Sequence, residues 1–123
     1  MTAKDIFLIT MSLMDNLSTE ENEVDEDKTS SYNNLFLNYL TIEINHIAEI
    51  RGIDLKYDII ESMTDNVTYD RYTCTNIIPY AIASKFYALN GDNDLSNLMD
   101  QKAEVAMREY KNDQEYHIHN IFS

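Results

Sequence analysis

Apolar residues recur along most of this chain at intervals of three and four, the repeat of a helix with one buried side. Ile6, Ile9, Leu13 and Leu17, widened by Phe7, Met11 and Met14, predict a first helix over residues 2–17. Thr2 followed three positions later by Asp5 supplies its start signal, a weaker form of the capping box. Residues 32–51 predict a second, longer helix closed by Gly52. Its apolar positions run from Leu35 through Ile50 and cover far more than one stripe, so it must be covered on more than one side. In a small domain part of that cover can come from another subunit. Phe36, Tyr39, Ile44 and Ile47 are the candidate subunit-contact residues.

The period then changes. Ile53, Leu55, Tyr57 and Ile59 alternate with polar residues, which predicts a strand over 53–60. Residues 67–74, rich in Thr and Tyr, make a plausible second strand, with 61–66 as the loop of a short hairpin. Helical spacing returns at 78–90, where Pro79 suits a first turn and Tyr80, Ala81, Ile82, Ala83, Phe86, Tyr87 and Leu89 leave almost no polar face. Such a helix belongs at the centre of the core. Asn90-Gly91 ends it, and Asp92 is placed to cap a fourth helix over 94–111, with its stripe at Leu95, Leu98, Met99, Ala103, Ala106, Met107 and Tyr110. On its outer face Glu104 and Arg108 stand in the favourable i,i+4 order.

Two segments depart from these patterns. Residues 18–31 hold six acidic residues between Glu20 and Asp27 and read as an acidic loop. They lack the glycine of a calcium loop. Residues 112–123 break the helical pattern and read as a tail carrying Tyr116, Ile118, Ile121 and Phe122, apolar anchors suited to ordering on a partner. The domain organisation is therefore a helical unit over 1–112 and a C-terminal tail over 113–123.

Composition narrows the function classes. Two glycines, Gly52 and Gly91, stand far apart, which argues against a phosphate-binding loop. Cys74 is the single cysteine, so no disulfide forms within the chain and a reducing compartment is favoured. Twenty-two acidic against nine basic residues give a net charge of −13, which repels nucleic acid. An acidic wall is still useful to a protein that lines a DNA passage, because DNA slides past it without sticking. No signal peptide opens the chain, and no apolar run reaches the ~20 residues of a membrane span. His117 and His119 form an H-x-H pair that would share one face of a strand, but no further ligand lies near, and no metal or cofactor is expected. His46 stands near Glu43 and Glu49, an acid–base neighbourhood that chance alone supplies in so acidic a chain. No nucleophile elbow, H-E-x-x-H or P-loop occurs, and no catalytic residue is assigned.

Three stretches in order resemble the head–tail connector (adaptor, or head-completion) proteins of tailed phages. The opening Ala3-Lys4-Asp5-Ile6 through Leu13-Met14 is similar to their first helix, and Leu35-Phe36-Leu37-Asn38-Tyr39-Leu40 through Gly52 to their long second one. The most telling piece is Ile78-Pro79-Tyr80-Ala81-Ile82-Ala83-Ser84-Lys85-Phe86-Tyr87-Ala88-Leu89-Asn90-Gly91-Asp92, continued by Leu95 to Lys102. It resembles their paired helices after a central loop.

The resemblance implies a mainly α fold, a four-helix adaptor-like bundle with a small extended or β-hairpin insertion between helices 2 and 3. It implies a structural virion protein at the head–tail junction, assembled in the host cytoplasm. There it would form a homo-oligomeric ring, commonly a dodecamer, under the portal protein, against a tail or stopper protein, with DNA passing through unbound. Tyr116, Ile118, Ile121 and Phe122 would touch portal or tail. Two other readings stay open, an acidic DNA mimic that inhibits a nucleic-acid-binding enzyme, which the net charge alone supports, and a small helical regulatory protein.

Overall fold

The computed structural model describes residues 1–14, 26–53 and 59–122, with the backbone alone for 26–32 and 115–122. The chain is mainly helical: α1 (Ala3–Leu13), α2 (Glu26–Arg51), α3 (Ile78–Leu89) and α4 (Asn93–Phe122), with a π-helical turn (Thr73–Ile77) leading into α3.

Local chemistry sets the helix ends. Thr2 Oγ1 accepts from the Asp5 N–H while the Asp5 carboxylate accepts from the Thr2 N–H, a complete capping box. Those hydrogen bonds hold the Asp5 carboxyl below its ordinary range. Gly52 (φ +67°) closes α2 and Gly91 (φ +80°) closes α3. Each sits in a Schellman arrangement, with Ile53 N–H donating to Ala48 C=O and Asp92 N–H to Tyr87 C=O. Asp92 then accepts from the Leu95 N–H and so ends one helix and starts the next.

α3 is the hub. It packs against α1, α2 and α4, while α4 packs mainly on α3 and the π turn, with Tyr110 reaching Arg51 at the end of α2. Ile78, Ile82, Ala83 and Phe86 are buried along it. They meet Ile6, Phe7 and Met11 of α1, Phe36, Leu40, Ile44 and Ile47 of α2, and Met99 and Ala106 of α4 in one cluster. Phe7 stands edge-on to Phe36 at 5.1 Å, and Tyr39 edge-on to Phe86 at 5.1 Å. Ser84 and Ser96 exchange hydrogen bonds across the α3–α4 hairpin, each hydroxyl donating to the other's carbonyl at 2.8 and 2.9 Å.

The expected β-hairpin does not form. Residues 54–58 lie outside the described residues, and no strand occurs among those described. The second expected strand, over 67–74, is helical from Arg71 onward. Asp70 decides this: its carboxylate accepts from the Thr73 N–H at 3.1 Å and from the Thr73 hydroxyl at 2.8 Å, an N-cap that overrides the strand preference of Tyr69, Tyr72 and Thr73. The π turn that follows has a cause in Pro79. Pro79 gives Thr75 no N–H and its ring crowds that carbonyl. The chain widens by one residue, and Ile78 N–H donates to Thr73 C=O, five positions back.

Residues 59–67 instead cross the start of α1. Met63 and Asp65 carbonyls accept from the Lys4 and Ala3 N–H groups, and Val67 N–H donates to Met1 C=O. These bonds satisfy donors that a helix start leaves open. Ile60 and Val67 turn inward.

Three further boundaries differ from the sequence pattern. α1 ends at Leu13, and 15–17 of the expected first helix lie outside the described residues. α2 begins at Glu26, so residues 26–31 of the expected acidic loop are helical, while 18–25 lie outside the described residues. α4 continues to Phe122, so the expected tail is a continuation of a helix. The Glu104–Arg108 ion pair is absent among the described residues.

Phe86 is fully buried and holds Tyr39 against the hub. Phe86→Ala should cost about 3–5 kcal/mol of unfolding free energy, read as a lower urea midpoint with an unchanged slope.

Candidate functional site

Two clusters of charged side chains stand out. The first gathers around Arg51, the last residue of α2. Its guanidinium lies 3.9 Å from the Tyr110 ring centre and 5.4 Å from that of Tyr69. Nη2 donates to Thr73 Oγ1 at 2.9 Å, and Nη1 stands 3.7 Å from Asp70 Oδ1. Asp70 is the same carboxylate that caps the π turn. Tyr69 donates its hydroxyl to the Ile44 carbonyl at 2.8 Å. Tyr72 stacks near Tyr110, with centroids 6.2 Å apart, and its hydroxyl lies 3.2 Å from Glu109 Oε2. Burial, then that hydrogen bond, push the Tyr72 phenol up. Each group here is engaged within the chain. The cluster ties the end of α2 to the start of the π turn and the middle of α4, and its role is structural.

The second cluster lies between α2 and α4. Glu43 of α2 keeps only 6% of its side chain exposed, and its carboxylate meets Lys85 Nζ of α3 at 3.2 Å. His46 Nδ1 stands 3.7 Å from the other Glu43 oxygen, an ion pair only when the imidazole is protonated. Lys85 remains about a third exposed, so the pair sits at the edge of solvent. It lies in a cleft of about 1000 Å³ that also holds Glu49, Asp100, Glu104, Ile42 and Ile50. The spacing Glu43…His46…Glu49 puts three ionisable groups along one side of α2. That sequence signal was present. What the sequence withholds is Lys85, which only the α2–α3 packing brings alongside.

The subunit-contact candidates are placed differently from expectation. Phe36, Ile44 and Ile47 are buried in the chain's own core, and Tyr39 packs half-buried on Phe86. The exposed apolar residues of α2 are Ile42 and Ile50, at 53% and 58%. Tyr116, Ile118, Ile121 and Phe122 lie on helical backbone, and their side chains fall outside the described residues. His117 and His119 lie on that same helix, where positions two apart do not share a face, so the strand argument for a shared metal fails. Among the described residues no three His, Cys, Asp or Glu side chains converge as a metal site would need, and no helix is long and apolar enough to cross a membrane.

Cys74 is buried in the π turn, and its Sγ stands 3.6 Å from the Tyr69 carbonyl. Burial raises its thiol above the ordinary value, so little reactive thiolate forms. Its reaction with an aromatic disulfide reagent at pH 8 should therefore track unfolding, slow in buffer and complete at once in denaturant. Lys85→Met should lower stability by about 2 kcal/mol, less than for a fully buried pair because Lys85 is partly solvated. The double change Glu43→Leu, Lys85→Leu should recover most of that loss in urea melts. Compared with family models, curated proteins and solved structures, the chain matches none.

Proposed function

We propose that this chain is a structural connector of a tailed phage: one subunit of a ring that docks beneath the portal protein, continues the DNA channel, and presents a surface to the next tail or stopper protein. The reading takes its family from the resemblance of residues 3–14, 35–52 and 78–102. The α3–Gly91–α4 hairpin agrees with the paired helices that the resemblance calls for. The net charge of −13 suits a wall past which DNA moves without binding.

One observation carries it. α4 has 30 residues against 12 in α3, the helix it packs on. At 1.5 Å per residue it is about 45 Å long, more than twice the length of its support. Lys111, Asn112, Asp113 and Gln114 are all exposed, and the helix still runs on to Phe122. Ile118, Ile121 and Phe122 are spaced i, i+3, i+4 in its last turns. A helix arm carrying that pattern past its own core is suited to a neighbouring subunit or to the portal.

The test mixes the full chain with the portal protein of the same phage and images the product by negative stain. An added layer on the portal ring is the expected result. A chain lacking residues 113–123 should keep its helical circular dichroism and its core stability yet bind portal about tenfold more weakly or worse, from the loss of a few anchoring side chains. A chain that stays monomeric, leaves the portal bare and instead competes with DNA for a nucleic-acid enzyme would replace this reading with the inhibitor one.

A further inference from the structure

α2 and α4 both lie on α3, and they meet where Arg51 covers the Tyr110 ring, while among the described residues their backbones stay apart along the rest of α2. The space between them is the cleft that contains the Glu43–Lys85 pair. Its floor is made of small side chains, Ala81 and Ser84 of α3 with Ala103 of α4. Its α2 wall runs from Thr41 to Ile50, a length of about 15 Å at the helical rise. Three turns of a further helix fit that length, lying over α3 and between its two neighbours.

The chemistry of the walls says which helix. Ile42 and Ile50 are more than half exposed and, with Met107 opposite, give the cleft an apolar strip. Four carboxylates, Glu43, Glu49, Asp100 and Glu104, line it against one lysine. Lys85 is already matched to Glu43, so the surplus negative charge sits on Glu49, Asp100 and Glu104. An occupant must cover the isoleucines and bring cations to these carboxylates. A second copy of a chain with net charge −13 is a poor source of them. We infer that the cleft between α2 and α4 is the docking site for a basic amphipathic helix of another protein, its apolar face on Ile42 and Ile50 and its Lys or Arg residues at Glu49, Asp100 and Glu104.

This inference rests on the reading that the chain works by binding proteins, but not on the arm beyond Lys111. The two can therefore fail separately. The probe is a fluorescent 14-residue helical peptide of Leu and Lys in amphipathic order, titrated with the full chain and with the chain lacking residues 113–123. Both forms should bind it equally, and binding should weaken about fivefold or more between about 0.05 and 0.3 M NaCl. The variant Glu49→Lys, Glu104→Lys should bind about tenfold more weakly or worse, whereas Glu61→Lys, Asp94→Lys, the same charge change away from the cleft, should stay within about twofold. Ile50→Ser should also weaken binding, because the apolar seat is lost. Equal losses in the two charge variants, equal binding of a Leu/Glu peptide, or a self-association that Ile50→Ser abolishes would each overturn the inference. Loss of binding only on deleting 113–123 would overturn it too while leaving the connector reading in place.

Discussion

A helix with apolar residues on nearly every side cannot rest at a surface, and in this chain that helix is α3. Everything else is arranged to cover it. α1 and α2 close two sides and pack on each other through Phe7 and Phe36, while α4 closes a third. The Schellman glycine Gly91, the Asp92 cap and the Ser84–Ser96 exchange all serve to bring α4 back along α3 within a three-residue turn. The cleft follows from the same constraint. Three neighbours around one hub leave a gap wherever two of them stay apart, and along most of their length α2 and α4 are such a pair.

The electrostatics divide along the same lines. Arg51 is surrounded by partners, two tyrosine rings, a threonine hydroxyl and a carboxylate, so its charge is used to hold elements together. Among the described residues Glu43 has one permanent cation beside it, Lys85, and the other carboxylates of the cleft have none. A folded chain can leave such a surplus standing where water reaches it, and the cost falls when a cationic partner arrives. The two clusters therefore differ in kind: one is complete within the chain and the other is not.

Much of this fold could be read from the residues. Thr2 with Asp5, Gly52, and Asn90-Gly91-Asp92 are local signals whose partners lie within a few positions, and each ends or starts a helix where expected. The structure departs from the sequence pattern where composition hides a local signal or where periodicity fades. Asp70 caps a helical turn made of residues that otherwise favour strands. Residues 111–115 are polar all round, so they carry no periodicity to show that α4 continues through them. Periodicity also could not say which part of the broad apolar surface of α2 turns inward. Phe36, Ile44 and Ile47 do, leaving Ile42 and Ile50 outside. The cleft was least legible, because its members come from three helices and only their packing joins Lys85 to Glu43.

The hub is third in chain order of the four α-helices among the described residues, and this governs how the molecule is made. During synthesis α1 and α2 leave the ribosome before the helix that covers most of their apolar sides exists. Their native covering waits for residues 78–89 to emerge, by which point more than half of the polypeptide is already in solution. The acidic residues of the amino-terminal half then have a second use: mutual repulsion keeps nascent copies apart while their greasy surfaces are still bare.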